Sequence, residues 1–385
     1  MKQPIYMDHH ATTPVDPRVL EAMVPYFTEV YGNAASIDHE YGYQAKQAVD
    51  KARELIASII NAHPEEIIFT SGATEADNLA ILGLAEYYAK KGKHIITCVT
   101  EHKAVLDTCK YLQCSGWQVT YLPVDQQGLV SPIDVRKAIT PQTVLISIMA
   151  ANNEIGVLAP IVEIGKIAHE HEVIFHTDAT QAVGYIPIDV QSMNIDLLSI
   201  SGHKVYGPKG IGALYVRNRL PRVKLVEQMH GGGHERGMRS GTLNVPGIVG
   251  LGKALEIAKQ ERETESDRLK ALRDQLWNGL REKLSEVELN GHPTQRLPHN
   301  LSVAIPGIES RSLLVQLKKD VALSIGSACT TARVEPSHVI MALGFGEERA
   351  YCSLRFGLGR SNNEDELKYV LQRIIGAVGS LRSLI

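Results

Sequence analysis

The segment Ser199-Ile-Ser-Gly-His-Lys204-Val-Tyr-Gly-Pro-Lys-Gly-Ile-Gly-Ala-Leu-Tyr215-Val joins two apolar runs through a polar knot. The first run, from Ile195, has the length of a buried strand and ends in Ser-Gly-His-Lys. The Pro/Gly turn Gly207-Pro-Lys-Gly210 follows, and Ile211 to Val216 forms the second run. Lys204 therefore falls at a strand end, which is where open α/β sheets place their ligands. A lysine beside Ser and His in that position is a candidate Schiff-base nucleophile. A surface lysine in a hairpin loop is the alternative, and the segment by itself leaves both open.

Upstream, strand-like and helix-like patterns alternate. Strands are expected at Ile67–Phe69, Ile95–Val99, Val119–Val124, Val144–Met149 and Val173–Thr177, with helices between them. With the two runs around Lys204 this makes seven strands, and the alternation predicts an α/β fold with a mixed, mostly parallel sheet flanked by helices. Nearer the N-terminus, Pro14 and Pro17 open a helical pattern that places Val19, Met23 and Phe27 on one face. Tyr31–Ser36 reads as a loop, and a long amphipathic helix follows through Ala45, Val49, Ala52, Ile56 and Ile59. Beyond a Gly-rich loop at Met229–Thr242, a long helix from about Val245 to Ser285 bridges to a smaller α+β unit. The expected division is a large domain over 14–261 and a small one built from 1–13 and 262–385.

The 385 residues carry a net charge of −3, with 44% hydrophobic and 22% charged residues. That balance fits a globular protein and offers no basic footprint for nucleic acid. No apolar run reaches membrane-spanning length, and the start lacks a secretory apolar core, so a cytoplasmic location is expected. Five cysteines without framework spacing fit a reducing compartment. Cys98, Cys109 and Cys352 lie in apolar patterns and read as core residues; Cys114 is open. The histidine pairs His9/His10, His169/His171 and His230/His234 match no metal-binding pattern, and the cysteine spacing supports no iron–sulfur cluster, so no metal is expected.

Thr70-Ser-Gly-Ala-Thr-Glu75 sits between a strand and a helix. Its glycine and the first helical N–H groups suit an anion, while ordinary capping by Ser71 or Thr74 is the alternative. Asp178 ends a strand in His176-Thr-Asp-Ala-Thr-Gln181. A buried carboxylate there needs a cation or donor; a pyridinium N–H would serve, as would a helix cap or a metal shared with His176. His102 stands at a strand-to-helix junction, and Arg355 lies in the mostly apolar Ser353-Leu-Arg-Phe-Gly-Leu-Gly359. Arg355 calls for an anion, which a structural ion pair would also supply. Cys329 occupies a run of small, turn-forming residues, Ser324 to Ala332, where a thiol can be reactive.

Asp-Ala-Thr-Gln followed by Ser-Gly-His-Lys resembles the fold-type I pyridoxal-phosphate enzymes. The similarity is closer to cysteine desulfurases of the NifS/IscS type, in the class-V aminotransferase family. It is carried by Asp8-His-His-Ala-Thr-Thr-Pro14, Thr70–Glu75, Thr100-Glu-His-Lys103, Asn152-Asn-Glu-Ile-Gly156, His230–Thr242 and Gly326-Ser-Ala-Cys329, in family order over nearly the whole chain. The resemblance implies pyridoxal 5'-phosphate bound covalently by Lys204, which also moves the Cα proton. It implies a ring nitrogen on Asp178, a ring hydroxyl oxygen on Gln181, and His102 stacked on the ring as an acid–base. Thr74, Glu75, Ser201 and His203 would hold the cofactor, with Thr242 reaching in from a partner subunit of a homodimer. Asn153 would contact cofactor or substrate, and Asn33 and Arg355 the carboxylate of L-cysteine. Cys329 would take the sulfur as a persulfide and pass it to an acceptor protein in iron–sulfur cluster assembly or another thiolation pathway. A selenocysteine lyase or an aminotransferase is the alternative within the same fold type, and alanine made without an oxo-acid acceptor distinguishes the latter. Asn33-Ala34 stands where the family usually has Asn-Pro. Members that dock an iron–sulfur scaffold often carry a longer tail than Leu381–Ile385, which puts that docking, though not the chemistry, in doubt.

Overall fold

The computed structural model describes residues 3–220, 222–325 and 335–384. A seven-stranded sheet is its centre, in the order 67–70, 212–216, 197–201, 174–178, 143–147, 94–98, 118–122. Gly212–Val216 runs antiparallel to both its neighbours, and every other pairing is parallel. The expected mixed, mostly parallel sheet is the one observed. Five of the seven strands are buried along their whole length, and Ile174–Asp178 all but its first residue, as apolar runs covered by helices on both faces should be. The seventh, Gln118–Leu122, lies at one edge and is partly exposed, which suits its alternating Gln, Thr and Tyr.

Ile174–Asp178 and Leu197–Ser201 are adjacent and parallel, so Asp178 and the Ser201–Lys204 turn emerge at the same end of the sheet. The loop into helix Ala73–Tyr88 reaches that end too. A Cβ on Gly212 would lie 2.7 Å from the Cα of Gly72, so only glycine lets these backbones approach so closely. The helix start is thereby pressed against the edge where Lys204 emerges.

Smaller pairings lie outside this sheet. Asn300–Ala304 is central between Ser353–Gly357 and Glu288–Leu289, all antiparallel, and Ile5–Tyr6 pairs with Val321–Ala322. Helix Val245–Lys283 contributes Leu251 and Leu255 to the core around the large sheet. Further along it contributes Leu269, Leu272, Leu276 and Leu280 to a second core containing Met7, Val303 and Phe356.

One expected helix is divided. The Pro17-to-Phe27 pattern breaks at Val24: Pro17–Met23 and Pro25–Thr28 are separate helices. Pro25 has no N–H to continue the ladder. Val19 and Met23 are buried as expected, but Phe27 is turned to solvent.

Candidate active site

A cavity of about 700 Å³ opens at the sheet end where Lys204 lies. Its walls include Thr74, Glu75, His102, Asn153, Asp178, Gln181, Ser201, His203, Lys204 and Arg355. Asn33 and Thr242 are not among them. Asn33 is exposed on its loop, with its side-chain oxygen accepting from the N–H of Ala35 at 3.0 Å, and Thr242 is exposed at the end of the Gly-rich loop. Cys329 lies outside the described residues.

Lys204 follows directly from the strand through a single 3-10 turn, Gly202–Lys204. Its Nζ donates to the carbonyl oxygens of His10 at 2.6 Å and Ala11 at 2.7 Å. Burial lowers its pKa to about 8, helped by the positive charge of Arg355 and opposed by Asp8 and Asp178. A surface hairpin lysine would not be so shifted. Relative to an ordinary lysine near 10.5, the neutral amine near pH 7 is enriched on the order of 10²-fold.

Asp178 is buried, and one of its oxygens accepts from the N–H of Thr180 at 2.9 Å. Metal sharing with His176 does not arise, because both imidazole nitrogens already meet hydroxyls: Ser147 Oγ at 2.8 Å and Ser199 Oγ at 3.1 Å. Burial drives the His176 pKa down to about 4, so the ring is neutral. Two further carboxyls lie behind the site, Asp77 and Glu101. Burial pushes both well above the carboxylate range, and the charge of Asp178 adds to that push. Of these three carboxyls only Asp178 lines the cavity.

Helix Ala73–Tyr88 begins at Gly72 with no side-chain cap, so neither Ser71 nor Thr74 satisfies its first N–H groups. Those donors, with the positive end of a sixteen-residue helix, border the cavity beside Ser201 and His203. Glu75 turns to its own loop: it accepts from the N–H of Ser71 at 2.8 Å and from Arg239 Nε at 2.8 Å. Burial would raise its pKa, but these bonds outweigh that and lower it. Burial also lowers His203 to about 4, aided by Lys204 and Lys209, and its Nδ1 lies 3.1 Å from Thr12 Oγ1.

His102 falls at the expected strand-to-helix junction. It is exposed and caps helix Lys103–Cys114, its Nδ1 accepting from the N–H of Ala104 at 3.1 Å, yet it also borders the cavity. Arg355 is buried at the cavity wall, donating to Asp8 Oδ1 at 2.9 Å and to the carbonyl of Asn153 at 2.8 Å. A structural ion pair therefore exists, and the guanidinium still reaches the cavity. Cys98, Cys109 and Cys352 are buried as expected, and Cys114 is exposed. Sequence reasoning missed Thr180 and His338. Thr180 lay inside the quoted Asp-Ala-Thr-Gln; its buried Oγ1 borders the cavity without a partner. His338 carries no sequence signal: its Nε2 meets the carbonyl of Glu101 at 3.0 Å only through the tertiary fold.

A strand-end lysine, an adjacent carboxylate and a helix N-terminus over one cavity define an enzyme built for an anionic, ring-bearing cofactor. Aminotransferase class-V matches residues 5–370, and the chain belongs to that family of pyridoxal-phosphate-dependent enzymes. It is 56% identical over 384 residues to cysteine desulfurase IscS of Anaeromyxobacter dehalogenans (strain 2CP-C), covering 100% of this chain and 95% of that one. It is 54% identical over 386 residues to cysteine desulfurase IscS of Pectobacterium carotovorum subsp. carotovorum (strain PC1), with the same coverage. Among solved structures it resembles a NifS-like protein, at a TM-score of 0.91 and 38% identity over 98% of this chain and 100% of that one. It also resembles SspA in complex with cysteine, at a TM-score of 0.82 and 41% identity over 92% and 98%.

The residues present fit the cofactor. The uncapped helix start suits its phosphate, Asp178 its ring nitrogen, and the orphaned Thr180 hydroxyl offers a further polar contact. One consequence is testable without substrate. Covalent uptake needs the neutral amine, so recombination of the cofactor-free protein with pyridoxal phosphate should accelerate through pH 8. The neutral fraction rises from about a tenth at pH 7 to about a half at pH 8 and then levels off. Stopped-flow absorbance against pH reads this directly; a rate still climbing tenfold per unit above pH 9 would mean an ordinary lysine.

Proposed function

We propose that this chain is a cysteine desulfurase that converts L-cysteine to L-alanine and leaves the sulfur as a persulfide on Cys329. The observation that carries the reading is Lys204, its pKa lowered by burial to about 8, in one cavity with Asp178 and Arg355. Bound there, pyridoxal phosphate supplies an electron sink for charge developing at the substrate's Cα.

The chain's own residues do the rest. Arg355, held from behind by Asp8 and the Asn153 carbonyl, presents a guanidinium to the substrate carboxylate. Lys204 would hold the cofactor, and its Nζ would take the Cα proton. Asp178 would steady the ring nitrogen. His102, at the cavity rim, would stack on the ring and move protons at Nε2, its Nδ1 being engaged by the Ala104 N–H. Thr74, Ser201 and His203 hold the phosphate, Glu75 fixes the loop that presents it, Gln181 bonds the ring hydroxyl oxygen, and Asn153 and Asn33 complete the substrate side. The Cys329 thiolate attacks the substrate sulfur; the S–S bond forms as the C–S bond breaks, and the released carbon takes a proton to give alanine. Isotope-labelled cysteine tests this: alanine should form without any oxo-acid acceptor, whereas an aminotransferase requires one.

The functional unit is a homodimer. In support, Leu20, Val24, Phe27, Tyr31, Ile37, Tyr41 and Tyr43 are all exposed within one short stretch, an apolar surface unusual for a monomer. Thr242, exposed on the Gly-rich loop, reaches the partner's phosphate site and gives each cavity a residue it lacks alone. Sedimentation should show a dimer, and replacing Tyr31 and Phe27 together by Asp should give monomers that bind the cofactor more weakly. A wild-type monomer with full cofactor affinity would reject the arrangement.

The cofactor domain spans 14–261, with 1–13 and 262–385 as the smaller domain; the switch of core along helix Val245–Lys283 and the packing of Met7 support this. The sulfur passes to an acceptor protein, serving iron–sulfur assembly or another thiolation pathway, in the cytoplasm. Among the described residues no helix is long and apolar enough to cross a membrane.

A further inference from the structure

Three aromatic rings from distant parts of the chain meet beside Lys204. Tyr185 stacks on His299, with centroids 3.9 Å apart and planes 21° from parallel. His299 stacks on His10 at 4.4 Å and 24°. All three are buried. Each end of the stack is bonded to the lysine: the Tyr185 hydroxyl donates to the Lys204 carbonyl at 3.1 Å, and the His10 carbonyl accepts from Lys204 Nζ at 2.6 Å. The contacts thus close a loop, from the lysine's backbone through three rings to its amine.

We propose that His299 is a positioning residue for Lys204 and Gln181, acting through the Tyr185–His299–His10 stack. The second arm runs through Gln181, whose Nε2 donates to the His10 carbonyl at 3.1 Å while its Oε1 accepts from His10 Nδ1 at 2.9 Å. With both amide groups of Gln181 engaged by one residue, the orientation of His10 sets that of Gln181. His10 Nδ1 then carries the ring proton, and its Nε2 is buried without a partner, so stacking is what fixes that side of the ring. His299 likewise has a buried Nδ1 without a partner.

The rings can stack so closely because neither imidazole is charged. Burial holds His10 well below its ordinary value, reinforced by His299, Arg355 and Lys204. Burial lowers His299 to about 3, reinforced by His9 and Arg273. The charged groups acting on Lys204 itself are Arg355, Asp8 and Asp178. The stack adds no cation to this set. His299 also immediately precedes strand Asn300–Ala304, which pairs with the strand carrying Arg355. A single residue of the C-terminal part therefore spans from the arginine's strand to the lysine.

The proposal rests on Lys204 as the cofactor-bearing residue, and one experiment separates the two. Cofactor-free full-length protein is mixed with pyridoxal phosphate across pH 6 to 10, and uptake is followed by absorbance. In His299→Leu, which keeps bulk but loses the ring, water should reach the amine. The midpoint should rise from about 8 toward the ordinary lysine value, slowing uptake about threefold to tenfold at neutral pH. His299→Phe restores the stack and should bring the midpoint back. Tyr185→Phe keeps the rings but removes the bond to the lysine carbonyl, and should shift the midpoint the same way by less. A folded His299→Leu with the wild-type midpoint overturns the proposal, as does His299→Phe failing as fully as leucine. Should His299→Leu not fold, an unchanged midpoint in Tyr185→Phe overturns it instead. Borohydride reduction of the wild-type complex, followed by peptide mapping, reports separately on the underlying reading: cofactor fixed to a residue other than Lys204 rejects that reading whatever the midpoints do.

Discussion

Replacing Lys204 by alanine is expected to lower alanine formation from cysteine by about 10⁴-fold or more. Two losses combine in this one substitution. On the proposed roles, the side chain that would bond the cofactor disappears, and so does the base that would take the Cα proton. Neither has an understudy at the right place. His102 caps a helix at the rim, its Nδ1 occupied by the Ala104 N–H. His203 is pushed down to about 4 by burial and by Lys204 and Lys209, so it is a weak base. His176 is buried between serine hydroxyls. The cavity itself should survive, because the phosphate and ring-nitrogen contacts come from other residues. The variant should still bind the cofactor non-covalently, and reduction with borohydride should leave no cofactor on the protein. Activity within tenfold of wild type would remove Lys204 from its role.

Cys329→Ser is expected to be comparably severe but to fail later, with sulfur transfer reduced about 10³-fold or more. A serine hydroxyl ionises far less readily than a thiol and cannot form a persulfide. The steps that depend on Lys204, Asp178 and Arg355 precede sulfur transfer. The variant should therefore keep the cofactor, bind cysteine, and show the early absorbance change on mixing, yet neither accumulate bound sulfur nor supply an acceptor. The pairing of the two variants is informative: Lys204→Ala fails before the early absorbance change, Cys329→Ser after it. If both fail at the same point, the separation of roles between lysine and cysteine is wrong.

Much of the site was legible because a strand's end is legible. An apolar run that stops at Asp178, and another that stops at Ser-Gly-His-Lys, are local signals, and adjacency of successive strands brings them together. The helix start at Gly72 was equally local. What sequence left open was which atoms were already spoken for. Capping by Ser71 or Thr74 is the ordinary reading of Thr70–Glu75, and it gives way to an anion site because the helix start is uncapped. Arg355 looked like either an ion pair or a substrate anchor, and it is paired with Asp8 while facing the cavity. The Pro17-to-Phe27 helix failed because periodicity was read across Val24-Pro25, where the backbone ladder must break. Asn33 and Thr242 carry family signals but line no cavity wall within one chain. The His299 stack was beyond reach of any local pattern: its members are residues 10, 185 and 299, and neither spacing nor composition relates them.

The most direct test of the account asks where the sulfur goes. The holoenzyme is given L-cysteine without acceptor or reductant, quenched within one turnover, and digested for peptide mass analysis alongside quantification of alanine. The account predicts one alanine per active site and a mass gain of one sulfur atom on the peptide containing Cys329, absent in Cys329→Ser. Alanine formed at the same yield with no sulfur on Cys329, or an amino group transferred to an oxo acid instead, would contradict it.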